Sequence, residues 1–333
     1  MSALSSSGSQ SVPLVSVIVA TRNRGDQVRQ TLISILANDY PRFDLWVVDQ
    51  SESDDTSQTV QPFETDGRLH YVRSSTKGVS IGRNLGIALS QGELIAITDD
   101  DCEAAPDWIS QMVNAFSEQP SAGIVFGNVL TSPHDTNAGF IPGYHRSNCF
   151  LARTIYYKHC VEGISACMGL RRSVWHQLNG FDPLLGAGAP LKSAGETDFA
   201  VRALLARIPI YETPAPAVTH FGFRTWEQGR SLIQGYMFGI AAAFMKNIKC
   251  GHWSVLVVLV HLGWRWAFQK PVVDLGRRPP RWMRLAAFLS GIWGALRTPV
   301  DRKTGQFRTA RRSETQSLSL ESSVILHPLT KKN

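Results

Sequence analysis

The sequence lacks several features that would assign it to a specialised class of protein. Its five cysteines are scattered and odd in number, and no two form a C-x-x-C pair. This pattern argues against a disulfide framework or a zinc site and fits a reducing compartment. The phosphate-binding motif G-x-x-x-x-G-K-S/T is missing, as is G-x-G-x-x-G after the first apolar run. Kinases and dinucleotide-dependent dehydrogenases therefore lose support.

Long apolar runs are also scarce. Residues 253–268 form a run of sixteen that His261 and Arg265 interrupt, whereas a membrane-spanning helix needs about 20 apolar residues. The run is therefore not an obvious membrane span. Residues 1–11 are polar and Ser-rich, and we expect a disordered lead-in and not an export peptide. We also expect a disordered basic tail over residues 301–333.

Charge is divided unevenly along the chain. The net charge is +7, but residues 236–333 contain sixteen Lys and Arg against four Asp and Glu, so this third carries +12 and the remainder −5. The basic third suggests contact with a polyanion, and the acidic body suggests a cation site. We favour a membrane surface and expect no nucleic-acid partner, because no recognised nucleic-acid-binding module accompanies the charge.

One basic segment has the pattern of an amphipathic helix. Residues 281–297 place tryptophan and aliphatic side chains at helical spacing, with arginines at both ends. Such a helix can lie in a membrane interface, or it can pack on the body as an ordinary core helix. The arginines and tryptophans favour the interface.

Apolar runs rich in β-branched residues alternate with segments whose apolar residues recur at helical spacing. The runs lie at residues 14–21, 43–50, 68–74, 93–100 and 122–130. This alternation predicts an α/β fold with a mostly parallel, Rossmann-like sheet covered by helices on both faces. Ligands of such sheets bind beyond the carboxyl ends of the strands. Polar side chains there, from Thr21, Arg22, Asp49 and residues 99–101, should therefore meet at one rim.

Three consecutive aspartates, Asp99, Asp100 and Asp101, follow the fourth apolar run. Their mutual repulsion calls for a cation, and Mg²⁺ or Mn²⁺ prefers carboxylate oxygens together with water and phosphate. A cation there could bridge a diphosphate and neutralise charge on a leaving group. The alternative is that these residues only cap helices and turns, which suits a single aspartate better than three in series.

The chain resembles the family-2 glycosyltransferases with the GT-A fold. Five segments in the family's order over residues 15–222 carry the resemblance: VSVIVATRNR, LWVVDQSESDDT, GVSIGRNLGI, IAITDDDC with the D-x-D motif, and GLRRSVWHQLNGFD followed by GAGAPLKSAGETDFAVR. The resemblance implies transfer of a sugar from a nucleotide diphosphate sugar to an acceptor hydroxyl, with inversion by a single in-line displacement.

The resemblance also implies how the donor is bound. Asp49 accepts a hydrogen bond from the nucleotide base, Thr21 and Arg22 line the same pocket, and Arg83 lies near the diphosphate. The family usually has a second aspartate in the nucleotide motif, where this chain has Gln50. Recognition of the base then depends on Asp49, and the choice between uracil and guanine stays open.

For the metal, the resemblance implies Asp99 and Asp101, the outer residues of D-x-D, which also face the donor. Asp101 is the more direct ligand, and Asp100 points elsewhere. His220 occupies the place where some relatives supply another ligand. It could equally be an ordinary turn histidine, because imidazole binds hard cations less well.

The catalytic base has two candidates. The expected E-D-x-D of the acceptor-side helix reads G-E-T-D at residues 195–198, and alignment of the flanking residues puts Glu196 where the family's catalytic aspartate stands. Asp198 is the second candidate; otherwise it bonds a neighbouring loop or the amides at the helix start. Acids are also common in the first turn of a helix for electrostatic reasons alone.

Together these observations predict four segments: the lead-in, a catalytic domain at 12–225, a basic amphipathic helical extension at 226–300, and the tail. We expect a hexosyltransferase that uses Mg²⁺ or Mn²⁺ and acts on a glycan or lipid-linked acceptor of the cell envelope. It would lie in the cytoplasm, peripheral on the inner face of the cell membrane. Two alternatives are an inactive sugar-nucleotide-binding membrane protein and a metal-dependent nucleotidyltransferase.

Overall fold

The computed structural model describes residues 12–268, 279–308 and 324–326. The predicted lead-in lies outside these residues. The helices within them are α1 Gly25–Leu36, α2 Asp55–Val60, α3 Val79–Leu89, α4 Trp108–Glu118, α5 Arg172–Gln177, α6 Gly195–Leu205, α7 Trp226–Lys249, α8 Val255–Phe268 and α9 Arg281–Arg297. The strands are β1 Val15–Thr21, β2 Phe43–Asp49, β3 Leu69–Ser74, β4 Leu94–Asp99, β5 Cys102–Ala104, β6 Ile124–Thr131, β7 Gly139–Phe140, β8 Phe150–Ala152, β9 Met168–Arg171, β10 Ile210–His220, β11 Arg224–Thr225, β12 Val300–Asp301, β13 Gln306–Phe307 and β14 Val324–Leu326.

A mixed ten-stranded sheet forms the centre of the molecule. Its order is β14-β3-β2-β1-β4-β9-β6-β10-β5, with β8 paired to β10. Six strands (β1, β2, β3, β4, β6 and β10) run in one direction, and β9 is antiparallel between β4 and β6. The predicted α/β class and mostly parallel sheet are confirmed.

Two apolar layers explain why the central strands are apolar on both faces. In β1, Val17 and Val19 join a cluster with α1 and α4, and Ile18 points into a second cluster with α3, α6 and α7. Alternate side chains of a strand point to opposite faces. The near-continuous hydrophobic run is therefore the signature of a sheet covered on both sides.

The end of β10 departs from the local pattern of its sequence. Although it contains Pro214 and Pro216, Ile210–His220 is one strand. Its register with β6 shifts between Glu212 and Ala217. This bulge accommodates both prolines, because a residue in a bulge need not donate the backbone N–H that proline lacks. The final residues then pair antiparallel with β5.

The helical extension is built into the body and does not lie apart from it. Residues 241–244 of α7 are fully buried, and Lys246 lies between the buried carboxylates of Asp182 and Asp198, with Nζ–O distances of 2.9 and 2.6 Å. Gly291 of α9 lies so close to α7 that a Cβ there would be 2.1 Å from the Phe238 carbonyl oxygen. In the described part of the chain, no helix has both the length and the apolarity to cross a bilayer.

The tail prediction is wrong for the residues next to α9. β12 and β13 form a hairpin over residues 300–307. Phe307 is buried with α7 and α9, and its backbone N–H donates to Asp182. Residues 324–326 add an antiparallel strand to β3. These ordered pieces depend on contacts with distant residues, which local composition does not reveal. The rest of the tail lies outside the described residues.

Lys246→Met should destabilise the fold strongly, because it leaves two buried carboxylates without their shared cation. We expect the free energy of unfolding in urea to fall by about 3 to 5 kcal/mol. Lys303→Met, which removes an exposed ammonium from the hairpin, is the control and should change it by less than about 0.5 kcal/mol. Equal stability of the two variants would contradict the role of the buried ammonium.

Candidate active site

The carboxyl ends of β1, β2 and β4 meet at one rim. Thr21 is paired in register with Asp49, and Ala20 with Asp99. The turn after β4 brings Asp100 and Asp101 to the same place. The structure therefore gathers the strand-end residues that the alternation of strands and helices predicted.

Each aspartate of the triplet has its own partner. Asp99 accepts from Arg83 Nη2 at 2.7 Å. Asp100 accepts from Thr21 Oγ1 at 2.7 Å and from Arg24 Nη1 at 2.8 Å. The Asp100 side chain thus turns to Thr21 and Arg24, which offer two donors beneath the rim, and it is not among the residues whose ligand atoms gather at His220. Burial raises the pKa of Asp100, and Arg24 and Thr21 offset only part of this effect.

Asp101 pairs with His220 because β5 is antiparallel to the end of β10. His220 stands opposite Cys102 in this register, and its Nε2 lies 3.1 Å from Asp101 Oδ1. Its Nδ1 lies 2.6 Å from the Pro142 carbonyl oxygen. A carbonyl only accepts, so Nδ1 carries a proton. Nε2 donates to Asp101 when it is protonated as well, and it offers its lone pair to a cation when it is not.

This pair is the best candidate for holding a cation. Ligand atoms of Asp101, Cys102 and His220 lie within 4.8 Å of one another, and the three residues are buried. Burial, with the charges of Asp99 and Asp101, raises the pKa of the Cys102 thiol well above its usual value, so Cys102 stays protonated. A carboxylate and an imidazole with room for further oxygen ligands fit a divalent cation that also binds phosphate.

Asp101 stays ionised in this setting. Burial acts to raise its pKa, but the hydrogen bond and charge of His220, together with Arg24, lower the pKa below the usual range. The same pair raises the pKa of His220, against the effect of burial. Asp101 is therefore already negatively charged before any cation binds.

Asp49 lies beneath the rim and not on it. Its side chain is fully buried, with Oδ2 2.6 Å from the Tyr71 hydroxyl and Oδ1 2.8 Å from the Ser51 backbone nitrogen. Each carboxylate oxygen thus accepts one hydrogen bond and can accept another, and the contact of Asp49 with the nucleotide base stays a prediction. Arg22 lies nearer to solvent and pairs with Glu52 at 3.1 Å.

The two candidates for the base lie in different environments. Asp198 is fully buried and bonds Arg202 and Lys246; burial acts to raise its pKa, but these two cations lower it. It is therefore part of the core, and its candidacy as the base is not supported. It also does not bond the helix-start amides, because two cations occupy its oxygens.

Glu196 remains accessible in the first turn of α6. Its side chain is half-buried, and no described residue forms a hydrogen bond or ion pair with its carboxylate. It belongs to the same electrostatic neighbourhood as the rim: burial, followed by the charges of Glu196, Asp99 and Asp101, raises the pKa of the Tyr236 phenol to about 12. Gly195, the residue before it, lies so close to α3 that a Cβ there would be 2.7 Å from Ser80 Oγ, and α3 carries Arg83, the partner of Asp99.

Three residues of the rim were not among the predicted site residues. Arg24 reaches both Asp100 and Asp101, Tyr236 of α7 is influenced by the charges of Glu196 and Asp99, and Gly222 lies against the Asp101–His220 pair. Only Arg24 could have been found from the sequence, because it lies in the same T-R-N-R turn as Thr21 and Arg22. Tyr236 and Gly222 reach the rim through long-range packing.

A sheet that gathers aspartates and arginines beyond its strand ends is the architecture of a nucleotide-binding α/β protein. Comparison with known proteins makes the class specific. The sequence profile of Glycosyl transferase family 2 matches residues 16–178, from β1 to the end of α5. Residues 16–178 therefore form a family-2 glycosyltransferase segment.

Individual relatives agree with the family assignment. Glucosyl-dolichyl phosphate glucuronosyltransferase from Haloferax volcanii is 30% identical over 119 residues, which cover 35% of this chain and 38% of that protein. Across this and three other curated relatives, the aligned part of the chain spans 21% to 50% of the relative's length.

Solved structures share the GT-A fold with this chain. The mannosyltransferase PcManGT from Pyrobaculum calidifontis, in complex with GDP-Man and Mn²⁺, has a TM-score of 0.57 at 18% identity, over 86% of this chain and 87% of that one. TarS from S. aureus, in complex with UDP-GlcNAc, has a TM-score of 0.55 at 16% identity, over 84% and 81%. At these identities the likeness establishes the fold alone.

Gly222→Ala should damage the cation site without unfolding the protein. A Cβ at Gly222 would lie 2.5 Å from His220 Nε2 and 2.7 Å from Asp101 Oδ2, so it would push the pair apart. We expect Mn²⁺ binding, measured by calorimetry with UDP or GDP present, to weaken by at least about tenfold.

Gly235→Ala is the matched control, because a Cβ at that position in α7 meets nothing within 4 Å. Its Mn²⁺ affinity should equal that of the unmodified protein. If Gly222→Ala also binds Mn²⁺ normally, Asp101 and His220 do not hold the cation.

Proposed function

We propose that this protein is a hexosyltransferase that moves a sugar from a nucleotide diphosphate sugar to an acceptor hydroxyl. The family-2 segment supports the reaction class, and two structural relatives are named as complexes with GDP-Man and UDP-GlcNAc. The observation that carries the proposal is the accessible Glu196 carboxylate at the start of α6. This end of α6 packs on Ser80 of α3, the helix whose Arg83 donates to Asp99, which supports a role for Glu196 beside the candidate donor site.

Asp101 and His220, with Asp99 beside them, would hold a divalent cation, and Mn²⁺ suits this mixture of oxygen and nitrogen better than Mg²⁺. When bound, the cation supplies positive charge that stabilises the departing diphosphate. Arg83, fixed by Asp99, adds a second positive charge near the diphosphate.

Glu196 serves as the general base in this proposal. As the acceptor oxygen bonds to the anomeric carbon, the bond from that carbon to the phosphate oxygen breaks. The electron pair leaves with the nucleoside diphosphate, and the hydroxyl proton passes to Glu196. Attack on the face opposite the leaving group inverts the anomeric configuration.

Glu196→Gln should abolish turnover while donor binding is retained, because the amide cannot take the proton. We expect kcat to fall by about a hundredfold or more, with UDP and GDP affinity unchanged. Asp198→Asn is the contrasting variant: it should lower the melting temperature, since Lys246 and Arg202 lose a charged partner. If Asp198→Asn loses turnover with its stability intact while Glu196→Gln stays active, the base is assigned wrongly.

The two alternative functions make different demands on the same site. A protein that only binds sugar nucleotides needs no accessible base, so the unpaired Glu196 carboxylate favours catalysis. A nucleotidyltransferase would consume a nucleoside triphosphate. Incubation with Mn²⁺ and either a nucleoside triphosphate or a nucleotide diphosphate sugar separates these activities by their products.

We also propose that α8 and α9 hold the protein on the inner face of the cell membrane, with a lipid-linked or cell-envelope glycan as acceptor. Ten of the eighteen exposed large apolar side chains in the described residues belong to residues 253–296. Trp264 of α8 and Trp282 of α9 are 61% and 70% exposed, whereas the opposite faces of both helices are buried. Tryptophan beside arginine is typical of interfacial helices.

The chemistry of the chain and of a relative supports this location. All five cysteines are free, which fits a reducing cytoplasm. The relative from Haloferax volcanii is named for a dolichyl phosphate substrate, which is a membrane lipid. The arginines of α9 suit an anionic leaflet.

Vesicle binding tests the membrane surface directly. The protein should bind phosphatidylglycerol vesicles better than phosphatidylcholine vesicles, and added salt should weaken binding. Replacing both Trp264 and Trp282 by serine should reduce binding by at least about tenfold, since two buried indoles are lost from the interface. Ile33→Ser, an exposed apolar residue on α1, should have no effect. Equal binding of all three proteins would contradict the assignment.

A further inference from the structure

Arg24 occupies an unusual position between two carboxylates of the rim. It precedes α1, and its single nitrogen Nη1 lies 2.8 Å from Asp100 Oδ1 and 2.9 Å from Asp101 Oδ2. The remaining oxygen of Asp100 accepts from Thr21, and that of Asp101 faces His220. With Arg24, each carboxylate oxygen of Asp100 and Asp101 has a partner.

The position has an electrostatic reason. Asp100 and Asp101 are adjacent in sequence and almost fully buried, so their negative charges repel each other where water cannot screen them. A guanidinium stays charged at any physiological pH, and it provides the positive charge that ionisation of both groups needs. Burial acts to lower the pKa of Arg24, but Asp100 and Asp101 outweigh it and raise the pKa.

The same carboxylate is also the main ligand of the candidate cation site. Arg24 and a divalent cation would therefore compete for the negative charge on Asp101 Oδ2. Asp100, by contrast, is paired with Thr21 and Arg24 and is not one of the candidate cation ligands. About a third of the Arg24 side chain is exposed at the rim, where the diphosphate of a donor would lie.

We propose that Arg24 is a positioning residue that acts as an internal counter-ion, competing with the divalent cation for Asp101. This inference rests on the proposed donor site. Arg24 weakens binding of the cation alone. When a nucleotide diphosphate binds with the cation, its phosphate oxygens give Arg24 new acceptors in place of Asp101. Cation and nucleotide therefore bind cooperatively, and the site is filled by the two together.

The test is a titration with Mn²⁺, in which the electron paramagnetic resonance signal of free Mn²⁺ reports binding with and without UDP or GDP. In Arg24→Gln, Mn²⁺ alone should bind about tenfold more tightly, because a competing charge is removed. The gain in Mn²⁺ affinity caused by the nucleotide should shrink by a similar factor. A purely structural role for Arg24 predicts weaker binding in both conditions.

Arg29→Gln is the matched control. It removes the same charge five residues later, from an exposed position on α1 where the guanidinium lies over the Phe63 ring and does not bond the triplet. Its affinity for Mn²⁺ alone should change by less than about twofold, since exposed charges are screened. If Arg29→Gln tightens binding as much as Arg24→Gln, the effect is one of net charge and the inference fails.

Two further outcomes are decisive. If Arg24→Gln does not fold, Arg24→Lys replaces it: lysine keeps the charge as a compact ammonium and lacks the planar fork, so Mn²⁺ alone should bind with intermediate affinity. Unchanged or weaker binding in the folded variant overturns the inference and leaves the proposed function standing. If the unmodified protein binds no Mn²⁺ even with nucleotide, both are overturned.

Discussion

The buried ammonium of Lys246 is the interaction on which the arrangement of the catalytic face depends. It lies between Asp182 and Asp198 with no exposed surface. Two buried carboxylates without a cation would be strongly unfavourable, because burial penalises their charged forms. Asp182 precedes the loop before α6, Asp198 lies in α6, and Lys246 lies in α7. The Lys246 side chain therefore holds three segments in position relative to one another: the one that contains Asp182, α6 and α7.

The candidate base benefits from this arrangement. Ser193 donates to the Gly235 carbonyl oxygen at 2.9 Å, so α7 holds the chain on one side of Glu196, and the Lys246 contact holds it on the other. Glu196 thus lies between two residues, Ser193 and Asp198, that both bond to α7. A carboxylate that must accept a proton from a bound hydroxyl needs this kind of rigid support. For this reason α7 belongs physically with the catalytic domain, although its composition places it with the basic extension.

Most local structure could be predicted from the sequence, and most of the site's contacts could not. The helix over residues 281–297 was predicted with its observed ends because its apolar spacing and terminal arginines are local signals. The pairing of His220 with Asp101 depends on a three-residue strand and a bulge, neither of which has a clear local pattern. Asp198 looked like a second candidate base because its partner Lys246 is 48 residues away in the sequence. Burial of a charged residue is a property of the whole fold, so composition and spacing do not reveal it.

The geometry of α7 also connects the two surfaces that the proposed function requires. Gly235 of α7 accepts from Ser193, three residues before Glu196, and Lys246 lies eleven residues further along, or roughly 16 Å at the rise of an α-helix. Gly291 lets α9 pack directly against α7, so the exposed tryptophans of the extension and the reaction centre are attached to one continuous helix. If those tryptophans rest in a membrane interface, the rim is held at a fixed height above the lipid. Acceptor hydroxyls at that height would then reach Glu196 preferentially, and attachment to the membrane would itself contribute to the choice of acceptor.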